Sequence, residues 1–453
     1  MAPERLHRAA PIALAALLML WPALLNGYPL VFADTGTYLS QAIDHSLGWD
    51  RPVFYSFFLL SLHMQLTTWP VIVAQALLAA WLLHLLRRCL LPRTSRWWLV
   101  PVVAVLCVAS PLPWFVSQLM PDVFTGLLVI ALVLLIALPS RLSKRERVFL
   151  TGFGAFAVAV HTSHLPLAVG LTLVLVPLRR WLGADAPLGR AALARVLAVP
   201  ALAACALVGV NLVGHGRAAI APFGNVFLLA RVLYDGPGFD ALEKNCPAAG
   251  WRLCAYAGQF PGDSDRFLWS AGSPLQRAGG ARAISAEAGA IVAAALRDEP
   301  AREARAFAGN FLAQLTRFAT GDGLDPWQAT VRPVIARAFP PRELLAYDAA
   351  RQTQGGFVIP AGLQAVHRIA ALVGIVALCA LPIVRRRDPV ALIAVAILLA
   401  LLGNAAITGG LSAPHDRYQA RLIWLAVCLP VMAGPALLRQ RLGGRAPVAM
   451  AQP

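Results

Sequence analysis

Asp34, Asp44, Asp50 and Arg51 fall within one stretch, Asn26 to Pro52 (NGYPLVFADTGTYLSQAIDHSLGWDRP), which lies between two hydrophobic segments and runs straight into VFYSFF. Carboxylates at a membrane boundary, beside an aromatic-rich re-entry, describe a site at the water–lipid interface. Asp34 can act as a general base, taking a proton from an acceptor hydroxyl. It can equally cap a helix that starts near Thr35. Asp122, which follows Pro121, can serve the chemistry or merely favour a helix N-terminus. Arg417 and Arg421 lie four apart in SAPHDRYQARLIW and share one helix face. Guanidinium geometry suits them to clamp a phosphate or pyrophosphate leaving group, with snorkelling to the interface as the plainer role. His161 and His164 in HTSHLP offer two ligands for a metal, or contacts to an acceptor, without a firm third ligand.

These residues need a membrane scaffold. The chain has 453 residues, 58% hydrophobic and only 13% charged, with mean hydropathy +0.66; a soluble protein carries roughly 25% charged residues. Repeated apolar runs near twenty residues long point to a polytopic α-helical membrane protein, all-α, with about ten transmembrane helices. The net charge of +17 does not indicate nucleic acid. The basic residues cluster between apolar runs, as at Arg87, Arg88, Arg93 and Arg96 or at Arg141, Lys144, Arg145 and Arg147, without aromatic interleaving. That is the positive-inside pattern, and it excludes nucleic acid as a partner.

In chain order, Arg5 and Arg8 precede the apolar run Ala9 to Leu25, read as an uncleaved first helix that starts in the cytoplasm. The Asn26–Pro52 segment is then outside. Thr35 to Leu47 and Val53 to Met64 are expected as interfacial helices. Further spans are expected at about Trp69–Leu86, Trp97–Leu112, Asp122–Leu138, Val148–Thr162, Leu165–Leu178, Val196–Val213, Ile359–Val384, Pro389–Thr408 and Leu422–Leu438. Both termini fall in the cytoplasm, and the short outer loops hold Arg51, Arg417 and Arg421 against about twenty basic residues inside. The organisation is an N-terminal module over 1–213 with a catalytic first outer loop at 26–68, a long, mostly helical outer loop over 214–358, C-terminal helices over 359–442 and a flexible tail over 443–453.

Within the long loop, Ser285 to Phe318 reads as two helices joined at Glu299-Pro300, since proline favours a first helical turn. Phe307, Phe311, Leu315 and Phe318 form an apolar stripe expected to pack on the membrane domain. Cys89, Cys107, Cys205, Cys379 and Cys428 lie in or beside apolar segments and read as packing residues. Cys246 and Cys254 stand together in the polar loop, where a periplasmic setting makes them a disulfide candidate. On this topology Asp34, Arg51, Asp122, His161, His164, His415, Arg417 and Arg421 come from four loops and converge on one outer face. Ionisable groups there are costly without partners, so their convergence favours a functional site.

FADTGTYL followed by RPVFYSFFLL resembles the start of the GT-C superfamily of polytopic membrane glycosyltransferases, which includes lipid A aminoarabinose transferases and protein O-mannosyltransferases. MPDVFTGLL resembles the superfamily's second acidic position, and HDRYQARLIWL its late Arg-Tyr element. The match covers roughly the first 180 residues and Ser412 to Leu425; the long loop matches no member.

The resemblance implies a transferase in the bacterial inner membrane, with its active site facing the periplasm. It would move a sugar from a polyprenyl-phosphate donor to a glycan, lipid or protein acceptor by inverting displacement. Asp34 would be the catalytic base, and Asp122 would assist it or hold the acceptor. Arg51, His415, Arg417, Tyr418 and Arg421 would bind the lipid phosphate, and Val53 to Met64 would border the lipid groove. Where the superfamily usually carries paired acids, this chain has Asp34 followed by Thr35. That leaves open whether a divalent cation (Mg or Mn) takes part. Two other classes remain: a transporter or flippase of envelope glycolipids, and a non-enzymatic envelope assembly protein that docks through the long loop. Transporters favour internal repeats and ionisable groups near the bilayer midplane, whereas the charges here gather at the outer boundary.

Overall fold

The computed structural model describes residues 2–182, 188–386 and 388–443, and side chains over 9–182, 188–386 and 388–434; the tail assigned from residue 443 lies beyond them after its first residue. Regular structure among the described residues is entirely helical, and an isolated parallel bridge joins Leu30 to Gln118. Among the described residues, four helices are long and apolar enough to cross a membrane: Trp69–Leu90, Arg190–His215, Ala361–Val384 and Pro389–Gly410. Each coincides with a span read from the sequence. Arg190–His215 and Ala361–Val384 leave most of their apolar windows uncovered, with only 22% buried inside the protein. Leu202, Val213, Val373 and Val376 stand on those bare faces, as lipid-facing side chains do.

The apolar helices Ala9–Met19, Arg96–Ala109 and Val123–Ala137 are shorter. Proline sets several of these limits, because it supplies no N–H and pushes its predecessor out of helical geometry. The first helix stops before Pro22, and Leu99–Ala109 ends at an extended Ser110 before Pro111. Val123–Ala137 is apolar all round and buried along its whole length, which makes it the central helix of the bundle. Gly126 on it admits the Trp424 ring, into which a Cβ there would run.

A second, smaller core lies in the long loop. Helices Gly224–Asp235 and Gly280–Asp298 enclose Leu229, Leu233, Phe267, Ile284 and Ile291. Cys246 and Cys254 are joined there as a disulfide. The two helices expected around Glu299 are Gly280–Asp298 and Pro300–Thr316. The second carries the phenylalanine stripe onto the turn Ala406–Gly410, where Gly409 and Gly410 leave room for Gln314 and the Phe307 ring.

The segment Asn26–Pro52 is held from both sides. Leu30 exchanges backbone hydrogen bonds with Ser117 and Leu119 at 2.9 and 2.8 Å. On the other side the Gln352 amide accepts from the Val31 N–H at 3.0 Å and donates to the Val31 carbonyl at 2.8 Å. The helix expected at Thr35–Leu47 runs Ala33–Ile43, and Phe54–His63 follows. Thr35 Oγ1 accepts from the Phe32 N–H at 2.9 Å and donates to the Leu119 carbonyl at 3.1 Å. The helix therefore starts two residues earlier than expected, and Asp34 sits inside its first turn instead of capping it. Gly36 lets this helix lie against Gln328–Ala338, because a Cβ there would strike the Thr330 carbonyl. Arg337 then grips Asp44 with two bonds of 2.6 Å, holding that carboxyl below the usual carboxylate range.

Candidate functional site

Asp34 leaves the first turn of Ala33–Ile43 and places Oδ2 2.8 Å from Arg51 Nη2. Both side chains are mostly covered, 11% and 17% exposed, yet both line a cavity of about 960 Å³. Asp34 thus presents its carboxylate at the cavity wall, where a ligand can meet it. Burial works against the Arg51 charge, but the carboxylates of Asp34 and Asp50 outweigh it and keep the guanidinium firmly protonated. For Asp50 the balance falls the other way: burial pushes its carboxyl up against the pull of Arg51.

Arg417 and Arg421 sit in the first turns of Asp416–Gly443, on one face as their spacing implied. Asp122 serves both. Its Oδ1 is 3.3 Å from Arg421 Nη1 and 3.6 Å from Arg417 Nε, and it is 1% exposed. Asp122 lies behind the cavity wall, at the N-cap position of Val123–Ala137 without capping it. Two guanidinium groups share this one carboxylate, so the local charge stays positive. Arg421, fully buried, also donates to Ser163 Oγ at 3.1 Å and Asn404 Oδ1 at 3.2 Å. Arg417 lies on the Phe32 ring, 3.8 Å from its centroid, and its backbone N–H donates to Asp322 Oδ2. Arg417 Nη1 meets no protein acceptor among the described residues and belongs to a residue of the cavity wall. A buried donor without a partner calls for a ligand or water to satisfy it. Tyr418 lines the cavity too, its ring 5.5 and 5.6 Å from the two guanidinium carbons.

The two histidines separate. His164 turns inward, with Nε2 2.7 Å from Thr125 Oγ1 and Nδ1 2.6 Å from the Ala157 carbonyl. Both its ring nitrogens are thus committed to protein, which leaves none for a metal shared with His161. His161 Nδ1 pairs with Ser163 Oγ at 2.8 Å, and the residue lines the cavity. No group of three or more metal-ligating side chains occurs among the described residues. His415 lines the cavity 3.8 Å from Asp265, and its backbone is fixed by Gln314 through bonds of 2.8 and 3.0 Å. Cys246 and Cys254 lie in the smaller core of the loop, away from this wall.

Several residues of the site carry no motif. Trp49, Phe227 and Trp269 form an aromatic wall, with Trp49 stacked on Phe227 at 5.2 Å and tilted to Trp269 at 5.6 Å. Leu207 and Val210 of Arg190–His215 and Ile407 of Pro389–Gly410, joined by Pro166 and Leu411, make an aliphatic wall. The cavity therefore offers a carboxylate, a guanidinium nitrogen without a protein acceptor among the described residues, an aliphatic flank and an aromatic flank. Pockets of this kind, mostly apolar with a few convergent polar groups, are where ligands bind. No family model, curated protein or solved structure matches this chain.

Proposed function

We propose that this chain is a GT-C-like glycosyltransferase that moves a sugar from a polyprenyl-phosphate donor to an acceptor, with Asp34 as general base. The observation that supports it is the meeting of Asp34 and Arg417 on one cavity wall, where Arg417 Nη1 has no protein acceptor among the described residues, beside an aliphatic flank. The aliphatic flank suits the prenyl chain. Arg417, kept oriented by Asp122 and the Phe32 ring, suits the lipid phosphate. The acceptor hydroxyl oxygen attacks the anomeric carbon and the bond from that carbon to the phosphate oxygen breaks. The hydroxyl proton passes to Asp34, and the electron pair leaves with the polyprenyl phosphate. Because the acceptor enters opposite the leaving group, the anomeric configuration inverts.

In this reading the helices form about ten spans, both termini are cytoplasmic and the cavity faces the periplasm of a bacterial inner membrane. Asp122 is then a positioning residue that holds the arginine pair, a narrower role than assisting the base.

The test uses purified protein in lipid nanodiscs with a panel of polyprenyl-phosphate sugars. Release of free polyprenyl phosphate supports the transferase. Movement of intact donor between leaflets of reconstituted vesicles, without release, overturns it in favour of a flippase.

A further inference from the structure

The cavity has a flank that donor chemistry leaves unused. Trp269 is 45% exposed although it belongs to the folded outer loop, and its exposed surface faces the cavity. The short helix Ser264–Trp269 explains the placement. Phe267 is buried in the core of the loop, while Asp265 and Trp269, four apart, share another face and line the cavity beside Leu268. Asp265 keeps a side chain that is 59% exposed. Trp49 and Phe227 complete the wall, and Arg51 joins it to the base: its guanidinium carbon is 5.7 Å from Trp269 and 5.9 Å from Phe227, while Nη2 holds Asp34.

Resting on the transferase reading, we infer that Trp269, Trp49 and Asp265 form the acceptor subsite and that the acceptor is a saccharide. A pyranose ring has one face of C–H groups and a rim of hydroxyls. The C–H face carries partial positive charge and matches the negative face of an indole. A carboxylate on the same helix face accepts from vicinal hydroxyls, which a peptide or plain lipid acceptor does not present as a pair. The bridge through Arg51 puts a sugar seated on this wall next to the carboxylate that would take its proton.

The test is saturation-transfer NMR on the full chain in nanodiscs, with maltotriose, cellotriose, mannotriose and chitotriose as soluble probes. Ring C–H signals from at least one trisaccharide are expected. Trp269→Ala should weaken that binding about ten-fold, Trp269→Phe should restore part of it, and Asp265→Asn should weaken it as well. Trp269→Phe and Asp265→Asn keep the test decisive if Trp269→Ala fails to fold. Signals that ignore all three substitutions, or no signal from any trisaccharide, overturn the subsite; an interfacial lipid anchor would give that result. Donor turnover by the wild type is scored separately. Trp269-dependent binding without turnover of any donor upholds the saccharide site and removes the transferase reading. Turnover with Trp269-independent binding removes the subsite alone.

Discussion

Arg51 Nη2 lies 2.8 Å from Asp34 Oδ2, and the same guanidinium is within 6 Å of the Phe227 and Trp269 ring centroids. The proposed base is thus neutralised in the resting cavity by a cation that has aromatic faces beside it. In the proposed transferase an arriving phosphate would compete with Asp34 for that cation, which would tie release of the base to donor binding. Arg51→Gln should leave a largely covered carboxylate without its partner, at a cost of about 1–3 kcal/mol. A lower thermal midpoint is expected, with Arg51→Lys in between. A midpoint equal to wild type for Arg51→Gln would show that the pair contributes nothing.

Asp122 and Asp34 should fail in different ways. Asp122→Asn removes the one carboxylate shared by Arg417 and Arg421, whose side chains are 7% and 0% exposed. Breaking a buried pair from one side costs about 3–5 kcal/mol. Poor expression or a markedly lowered melting midpoint is expected for Asp122→Asn, against a smaller drop for Asp34→Asn, whose pair with Arg51 is less deeply buried. Equal midpoints would contradict the positioning role.

Gln352 sets the height of the first loop from 321 residues away. Gln352→Leu strands the Val31 N–H and carbonyl and the Asp325 carbonyl, costing on the order of 2–4 kcal/mol. Amide hydrogen exchange over residues 28–33 should accelerate well beyond that of the central helix Val123–Ala137. Unchanged protection there would mean that the Leu30–Ser117 side alone holds the loop.

Asp50 supplies a pH dependence. Its folded carboxyl is raised by burial, so the folded state binds more protons than the unfolded one over the interval between the two values. Its ionisation therefore opposes folding, and stability falls as pH rises through that interval. Asp50→Asn should raise the melting midpoint at pH 7.5 and leave it unchanged near pH 2, where the carboxyl is neutral in both states. A gain of equal size at both values would assign the effect to something other than the charge.

Much of the helical plan was legible. Apolar periodicity marked the four long apolar helices, and Glu299-Pro300 marked the joint between Gly280–Asp298 and Pro300–Thr316. The i, i+4 spacing of Arg417 and Arg421 gave their shared face. What it could not show was the partner, since Asp122 lies 299 positions from Arg421. A burial-driven pairing of that length leaves no local pattern. The same holds for the aromatic wall, where Trp49 comes from the first loop and Phe227 and Trp269 from the long one. His161 and His164 misled as a pair: three residues apart at a helix start, one ring faces the cavity and the other packs inward on Thr125.

The central claim is that Asp34 takes the proton in a sugar transfer. Polyprenyl phosphate release by wild type and Asp34→Asn, in nanodiscs with and without EDTA, tests it most directly. General-base removal is expected to slow turnover by about 10²–10⁴-fold while the protein stays folded, and the EDTA arm reads metal dependence in the same experiment. Turnover by Asp34→Asn equal to that of wild type would contradict the assignment.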